Sequence, residues 1–195
     1  MTKQSELQKL KQTLEENDPT PELRSAATQL VFGDGNPEAQ IVFIGEAPGK
    51  NEDLKGIPFV GAAGKFLDEM LASVHINRDD IYITNIVKYR PPNNRDPLPE
   101  EKDAMWPYLL KQIAIIRPKI VATLGRHSGQ ALLPELSISK DHGRPTQINV
   151  ELDGKEETIT ILPLYHPAAA LYNGGLRQTL LEDFQVVKDI ISNEL

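Results

Sequence analysis

The sequence predicts an α/β domain on a mainly parallel sheet, and three observations predict it. Apolar, β-branched runs at 39–44, 81–87 and 119–124 each lead into turn-forming or polar residues. Between the first two lie Leu67, Met70, Leu71 and Val74 at helical spacing, so strand, helix and strand follow in the order of a parallel crossover unit. The strand ends also deliver chemistry: carboxylates after the first, Asn85 within the second, and His166 after a late apolar run. In open α/β folds the carboxyl edge of the sheet is where ligands bind.

Each element has a local cause. Residues 5–17 form a charge-rich helix whose Leu7, Leu10 and Leu14 make one apolar stripe, and Asp18-Pro19-Thr20-Pro21 breaks it. Residues 32–37 are a loop of turn formers, and the first sheet strand covers 39–44. A crossover helix covers 64–75, the second strand 81–87, a Pro- and Arg-rich loop 88–99, a helix 100–117 and the third strand 119–124. Gly125 then opens another short helix. Residues 147–152 and 157–162 alternate as a hairpin turned at Asp153-Gly154, with the second arm joining the main sheet. A helix over 178–193 carries Leu181, Phe184, Val187 and Ile191 on one face. Residues 1–30 are expected to be an N-terminal helical arm, and 31–195 the α/β domain.

Composition narrows the chemistry. A chain of 195 residues, 39% hydrophobic, can bury one good core. No apolar run has the length of a membrane span and no signal peptide opens the chain, so a cytoplasmic protein is expected. With no cysteine at all, disulfides, thiolate nucleophiles and cysteine-held metal centres are excluded; four scattered histidines argue against a histidine metal site. A net charge of −7 argues against coating nucleic acid by bulk electrostatics and leaves local basic patches for that task.

The most informative run is Gly45-Glu46-Ala47-Pro48-Gly49, followed by Glu52 and Asp53. Glycines let a ligand approach the backbone, Pro48 stiffens the turn, and three carboxylates gather at the sheet edge. The glycine spacing fits no P-loop, there or at 61–66. Taken with Pro58-Phe59-Val60-Gly61, Thr84-Asn85 before Lys88-Tyr89-Arg90-Pro91-Pro92, and His166-Pro167-Ala168-Ala169-Ala170-Leu171, the ordered set resembles the uracil-DNA glycosylase superfamily, most closely its family 4 enzymes of bacteria and archaea. The similarity runs from about Val31 to the C-terminus. It implies a three-layer α/β/α sandwich around a four-stranded, mainly parallel sheet.

The resemblance implies a monofunctional enzyme that flips uracil from DNA and hydrolyses its glycosidic bond, leaving an abasic site for downstream repair enzymes; a monomer is expected. Gly45, Glu46, Ala47, Pro48 and Gly49 would line the base through their backbone. Phe59 would stack on it, worth about 1–3 kcal/mol. Asn85 would read its edge, and His166 would donate to O2 as negative charge grows there. Family 1 enzymes carry an aspartate where Ala47 stands, so Glu52 or Glu46 must place water, with Glu52 favoured; Glu52 would alternatively crowd C5 against thymine. Lys88, Arg90, Arg95, Arg126 and Arg177 are candidate DNA contacts, and Leu171 a wedge into the vacated stack. The chain departs from family 4 at the four cysteines of its [4Fe–4S] cluster, where Asp18, Pro21, Tyr89 and Ala104 stand at or near the matching positions. The cluster is therefore expected to be absent, with packing by Tyr89 and Trp106 in its place. The competing reading is a non-catalytic module that binds uracil-containing or damaged DNA.

Overall fold

The computed structural model describes residues 1–192. Its centre is a six-stranded sheet. The strands are β1 (Asp34–Gly35), β2 (Ile41–Gly45), β3 (Tyr82–Asn85), β4 (Ile120–Leu124), β5 (Thr146–Leu152) and β6 (Lys155–Leu164), in the spatial order β1-β3-β2-β4-β6-β5. The inner four, β3-β2-β4-β6, are parallel throughout. The outer pairs, β1 with β3 and β5 with β6, are antiparallel.

The expectation of four strands thus describes the parallel centre and misses the edges. β1 is two residues inside a turn-rich loop, and it pairs with β3 because Gly35, at φ 123°, brings its backbone against Ile81; a Cβ there would sit 2.1 Å from the Ile81 carbonyl oxygen. β5 and β6 form the expected hairpin, with Asp153 and Gly154 both at positive φ, the geometry of a tight two-residue turn.

Alternation along β2 sets the two covering layers. Val42 and Ile44 face α1 (Lys3–Glu16) and α5 (Pro99–Ile116), joining Leu7, Leu10, Leu14, Met105, Leu109 and Ile113. Ile41 and Phe43 face α4 (Ala62–Ser73) and α9 (Gly175–Ile191), joining Leu67, Met70, Leu180 and Phe184; the rings of Phe43 and Phe184 stack at 5.7 Å. The N-terminal helix docks on α5, and Lys3 Nζ donates to the carbonyl oxygen of Ile116 at 2.8 Å.

Four short helices were not individually expected: α2 (Pro21–Ala26), inside the expected N-terminal helical arm, α3 (Lys50–Lys55), where a polar loop is expected, α7 (Ile138–Asp141) and α8 (Ala169–Tyr172). α6 (Arg126–Leu132) stands where a short helix is expected. α9 begins one turn earlier than expected, and Asn193, the expected last residue, lies outside the described residues. No helix among the described residues is long and apolar enough to cross a membrane.

Candidate active site

The carboxyl ends of β2 and β3 are tied together beyond the strands themselves. Ile86 N–H donates to the Gly45 carbonyl and Val87 N–H to the Glu46 carbonyl, each at 3.0 Å, so the loop after β2 is held as a wall beside Asn85. Asn85 is 1% exposed, and its Oδ1 is buried with no hydrogen-bond partner. A buried acceptor left unmade costs about 1–3 kcal/mol, so Oδ1 is positioned for a ligand N–H. Gly45 is required beside it: a Cβ would lie 2.3 Å from Asn85 Oδ1 and 2.7 Å from the Phe59 ring.

Phe59 sits at φ 52°, unusual for a residue with a side chain, and the surroundings enforce it. Glu52, on α3, accepts through one oxygen from the backbone N–H of Val60 at 2.9 Å and of Gly61 at 2.8 Å. Arg78 donates to the Pro58 carbonyl at 2.7 Å. Gly64 lets α4 pass directly under the turn, since a Cβ there would meet the Phe59 carbonyl oxygen at 1.8 Å. Asp53 faces away and ties down residues 28–29, accepting from Thr28 N–H and its hydroxyl, both at 2.8 Å.

His166 follows β6 and faces Phe59, with ring centroids 5.7 Å apart. Its Nδ1 accepts the Ala168 backbone N–H at 3.1 Å, which leaves the proton on Nε2. Burial lowers its pKa to about 4, only partly opposed by the nearby Glu52, so the imidazole is neutral at pH 7. Gly125, at φ 100°, makes room for it; a Cβ would lie 3.1 Å from that of His166. Ala47, Gly49, Glu52, Phe59, Ala63, Asn85 and His166 line one pocket of about 200 Å³. It offers an apolar ring face, an unpaired acceptor, an imidazole N–H and a carboxylate.

Other predicted residues lie elsewhere. The Glu46 side chain is not in this pocket; it turns toward His127, 3.8 Å away, and burial raises its pKa. Lys88, expected on the DNA-facing loop, is fully buried: the strand-like pairing continues past β3 through Val87, and Lys88 points inward to Thr84, the Asn85 carbonyl and Gln112. It cannot touch a phosphate. Arg95 forms a two-pronged bond to Glu101 at the start of α5, at 2.9 and 2.6 Å, and holds that carboxyl below its ordinary pKa. Arg177 pairs with Glu69 and lies 4.5 Å over the Phe66 ring. Arg90 bonds Asn94, while Arg126 is exposed beside His127. Leu171 is half exposed on α8, with Tyr172 fully outward beside it.

Sequence reading passes over a second cavity of about 370 Å³, lined by Lys102, Trp106, His127 and Gln130 among others. Glu46, Asp96 and His127 bring one potential ligand atom each within 4.8 Å of one another, a group that could hold a metal ion. They gather from the loop after β2, the loop before α5 and the first turn of α6, and no spacing motif announces them. The positions matched to iron–sulfur cysteines do not fit a cluster. Tyr89 is 2% exposed in the core with its phenol pushed up to about 12 by burial, Ala104 has no donor, and Asp18 accepts from Thr20. Trp106 packs against the same core cluster as Tyr89.

Comparison with known proteins gives a consistent result. The Uracil DNA glycosylase superfamily matches residues 32–186. The chain is 49% identical over 169 residues to the Type-4 uracil-DNA glycosylase of Sulfurisphaera tokodaii, covering 84% of this chain and 75% of the relative. The enzyme of the same name from Archaeoglobus fulgidus is 47% identical over 174 residues, covering 87% and 85%. That of Saccharolobus solfataricus is 48% identical over 170 residues, covering 84% and 77%.

Proposed function

This chain belongs to the Uracil DNA glycosylase superfamily, and from that premise we propose that it is a uracil-specific DNA glycosylase working without an iron–sulfur cluster. The observation that carries the reading is the pocket in which the unpaired Oδ1 of Asn85, the ring of Phe59 and the Nε2–H of His166 converge.

The uracil base leaves the DNA stack and enters the pocket, with the exposed Leu171 filling the space behind it. Phe59 covers one face. Asn85 Oδ1 accepts the N3–H of uracil while its amide N–H donates to O4; cytosine has no N3–H, and its exocyclic amine would oppose the amide donor. Each group left unpaired by the wrong base costs about 1–3 kcal/mol, enough for strong discrimination. Breaking the N1–C1′ bond leaves negative charge on the base and positive charge on the sugar. The Nε2–H of His166 donates to O2, where the charge grows, and a neutral imidazole does so without losing its proton. One oxygen of Glu52 is committed to Val60 and Gly61, and the other orients the attacking water at C1′. The new C1′–O bond replaces the C1′–N1 bond, the water yields a proton to solvent, the departing uracil anion takes one up from solvent, and the products are uracil and an abasic site. No amine is assigned as nucleophile.

The absence of the cluster from this reading rests on the donor set at Asp18, Pro21, Tyr89 and Ala104, none of which offers a thiolate. DNA contacts in this reading come from Arg90 and Arg126, the less committed of the predicted cations.

The test is an oligonucleotide with one uracil, treated with alkali or with borohydride after incubation. Alkali-dependent cleavage without a trapped covalent adduct is expected. A trapped adduct would contradict hydrolysis by water, and tight binding without cleavage would establish a binding module instead.

A further inference from the structure

Lys88 is fully buried, yet among the described residues no carboxylate forms an ion pair with it. Its Nζ lies 2.7 Å from Thr84 Oγ1, 2.6 Å from the Asn85 carbonyl oxygen and 2.6 Å from Gln112 Oε1. All three are acceptors. The Thr84 hydroxyl spends its own proton on the Phe32 carbonyl at 2.8 Å, and Gln112 turns its amide N–H groups to that same carbonyl and to Tyr82. Three acceptors match the three N–H donors of an ammonium, whereas a neutral amine would set its lone pair against one of them.

We infer that Lys88 is a positioning residue for base release: a buried, unpaired ammonium that fixes the Asn85 backbone and favours negative charge on the base in front of it. This rests on the reading of the Asn85 pocket as the uracil site. A buried cation without a partner is costly, and apolar side chains would join the same elements at less cost. Burial pulls the Lys88 pKa well below the ordinary lysine value, and three acceptors bonded to the charged form act in the opposite direction. The field is placed to act on one event, since the residue Lys88 grips by its carbonyl is the one whose side chain lies in the pocket. A unit charge acting across one residue at an effective dielectric of about 20 changes a rate on the order of 10- to 100-fold.

The leaving group reports on this directly. Uracil and 5-fluorouracil are placed in the same strand and excised under single-turnover conditions; the fluorinated base is the better anion and needs less help. Gln112→Glu is nearly isosteric and sets a carboxylate against Lys88, which cancels the charge but gives up the amide N–H bonds to the Phe32 carbonyl and to Tyr82, so its folding is checked by circular dichroism before rates are compared. Uracil excision is expected to slow on the order of 10- to 100-fold, with 5-fluorouracil slowed several-fold less. Lys88→Met should move the ratio the same way. Equal slowing of both bases in either folded variant would overturn the inference, because a structural role does not sense leaving-group acidity. Nitrogen NMR of the lysine amino groups in the unmodified protein decides the charge state even where Lys88→Met fails to fold. An ammonium at pH 7 is expected, and a neutral amine would overturn the inference. Loss of uracil release by the unmodified protein would instead sink the pocket reading and leave the measured charge state standing.

Discussion

His166 carries a pH signature that can be read in stability as well as in rate. Its folded pKa of about 4 lies below the ordinary 6.5, so between those values the unfolded chain binds a proton that the folded chain does not. The stability it contributes is complete above about pH 6.5 and is lost as pH falls through 4. His166→Ala should therefore show a shallower loss between pH 7 and pH 4, by no more than about 3 kcal/mol, in urea titrations. The same variant should slow single-turnover uracil release about 100- to 1,000-fold at pH 7 while remaining folded. Asn85→Asp should reduce uracil release on the order of 100-fold or admit cytosine weakly; unchanged rate and selectivity would remove Asn85 from its assigned place. Asn85 and His166 were legible as polar residues at the ends of apolar runs. Lys88 was not, because it sits in a Pro- and Arg-rich loop. Only the continued pairing of Ile86 and Val87 with the loop after β2 turns it inward.

The short helix α3 and the first turn of α4 act as a clamp on Phe59. Glu52→Ala leaves two backbone N–H groups without their acceptor and should lower stability by about 2–4 kcal/mol, with weaker binding of uracil-containing DNA. Glu52→Gln retains an acceptor oxygen and should lose much less stability, separating the clamp from the charge that orients water. Gly64→Ala gives a sharper contrast. Helix propensity alone predicts a gain of about 1 kcal/mol, but the added Cβ meets the Phe59 carbonyl oxygen at 1.8 Å. A net loss above about 2 kcal/mol is expected in thermal or urea unfolding. The long helices and parallel strands were readable from periodicity. α3 was not, since six residues between glycines carry no apolar stripe, and its role appears only when Glu52 reaches across to Val60 and Gly61. β1 escaped for a similar reason: two residues hold no alternation.

At the scale of the whole molecule, a parallel four-stranded centre delivers Asn85 and His166 to one edge, and α1 and α5 close the opposite layer around Tyr89. The hairpin was announced by Asp153-Gly154, and the parallel centre by the strand–helix–strand order. The convergence of Glu46, Asp96 and His127 depends on where two loops meet the start of α6 and had no local signal. Because none of Asp18, Pro21, Tyr89 and Ala104 offers a thiolate, prolonged treatment with an iron chelator should leave the melting temperature unchanged; a fall of several degrees would show that a bound metal contributes to the fold. The central claim is base release by this pocket without a cluster. Its most direct test is single-turnover release of free uracil by chelator-treated protein, on single-stranded, U:G and U:A substrates, beside His166→Ala. Stoichiometric uracil from the unmodified protein, with release strongly slowed in the variant, is the predicted result. A folded protein that releases none on any substrate, or a variant as fast as its parent, would contradict the account.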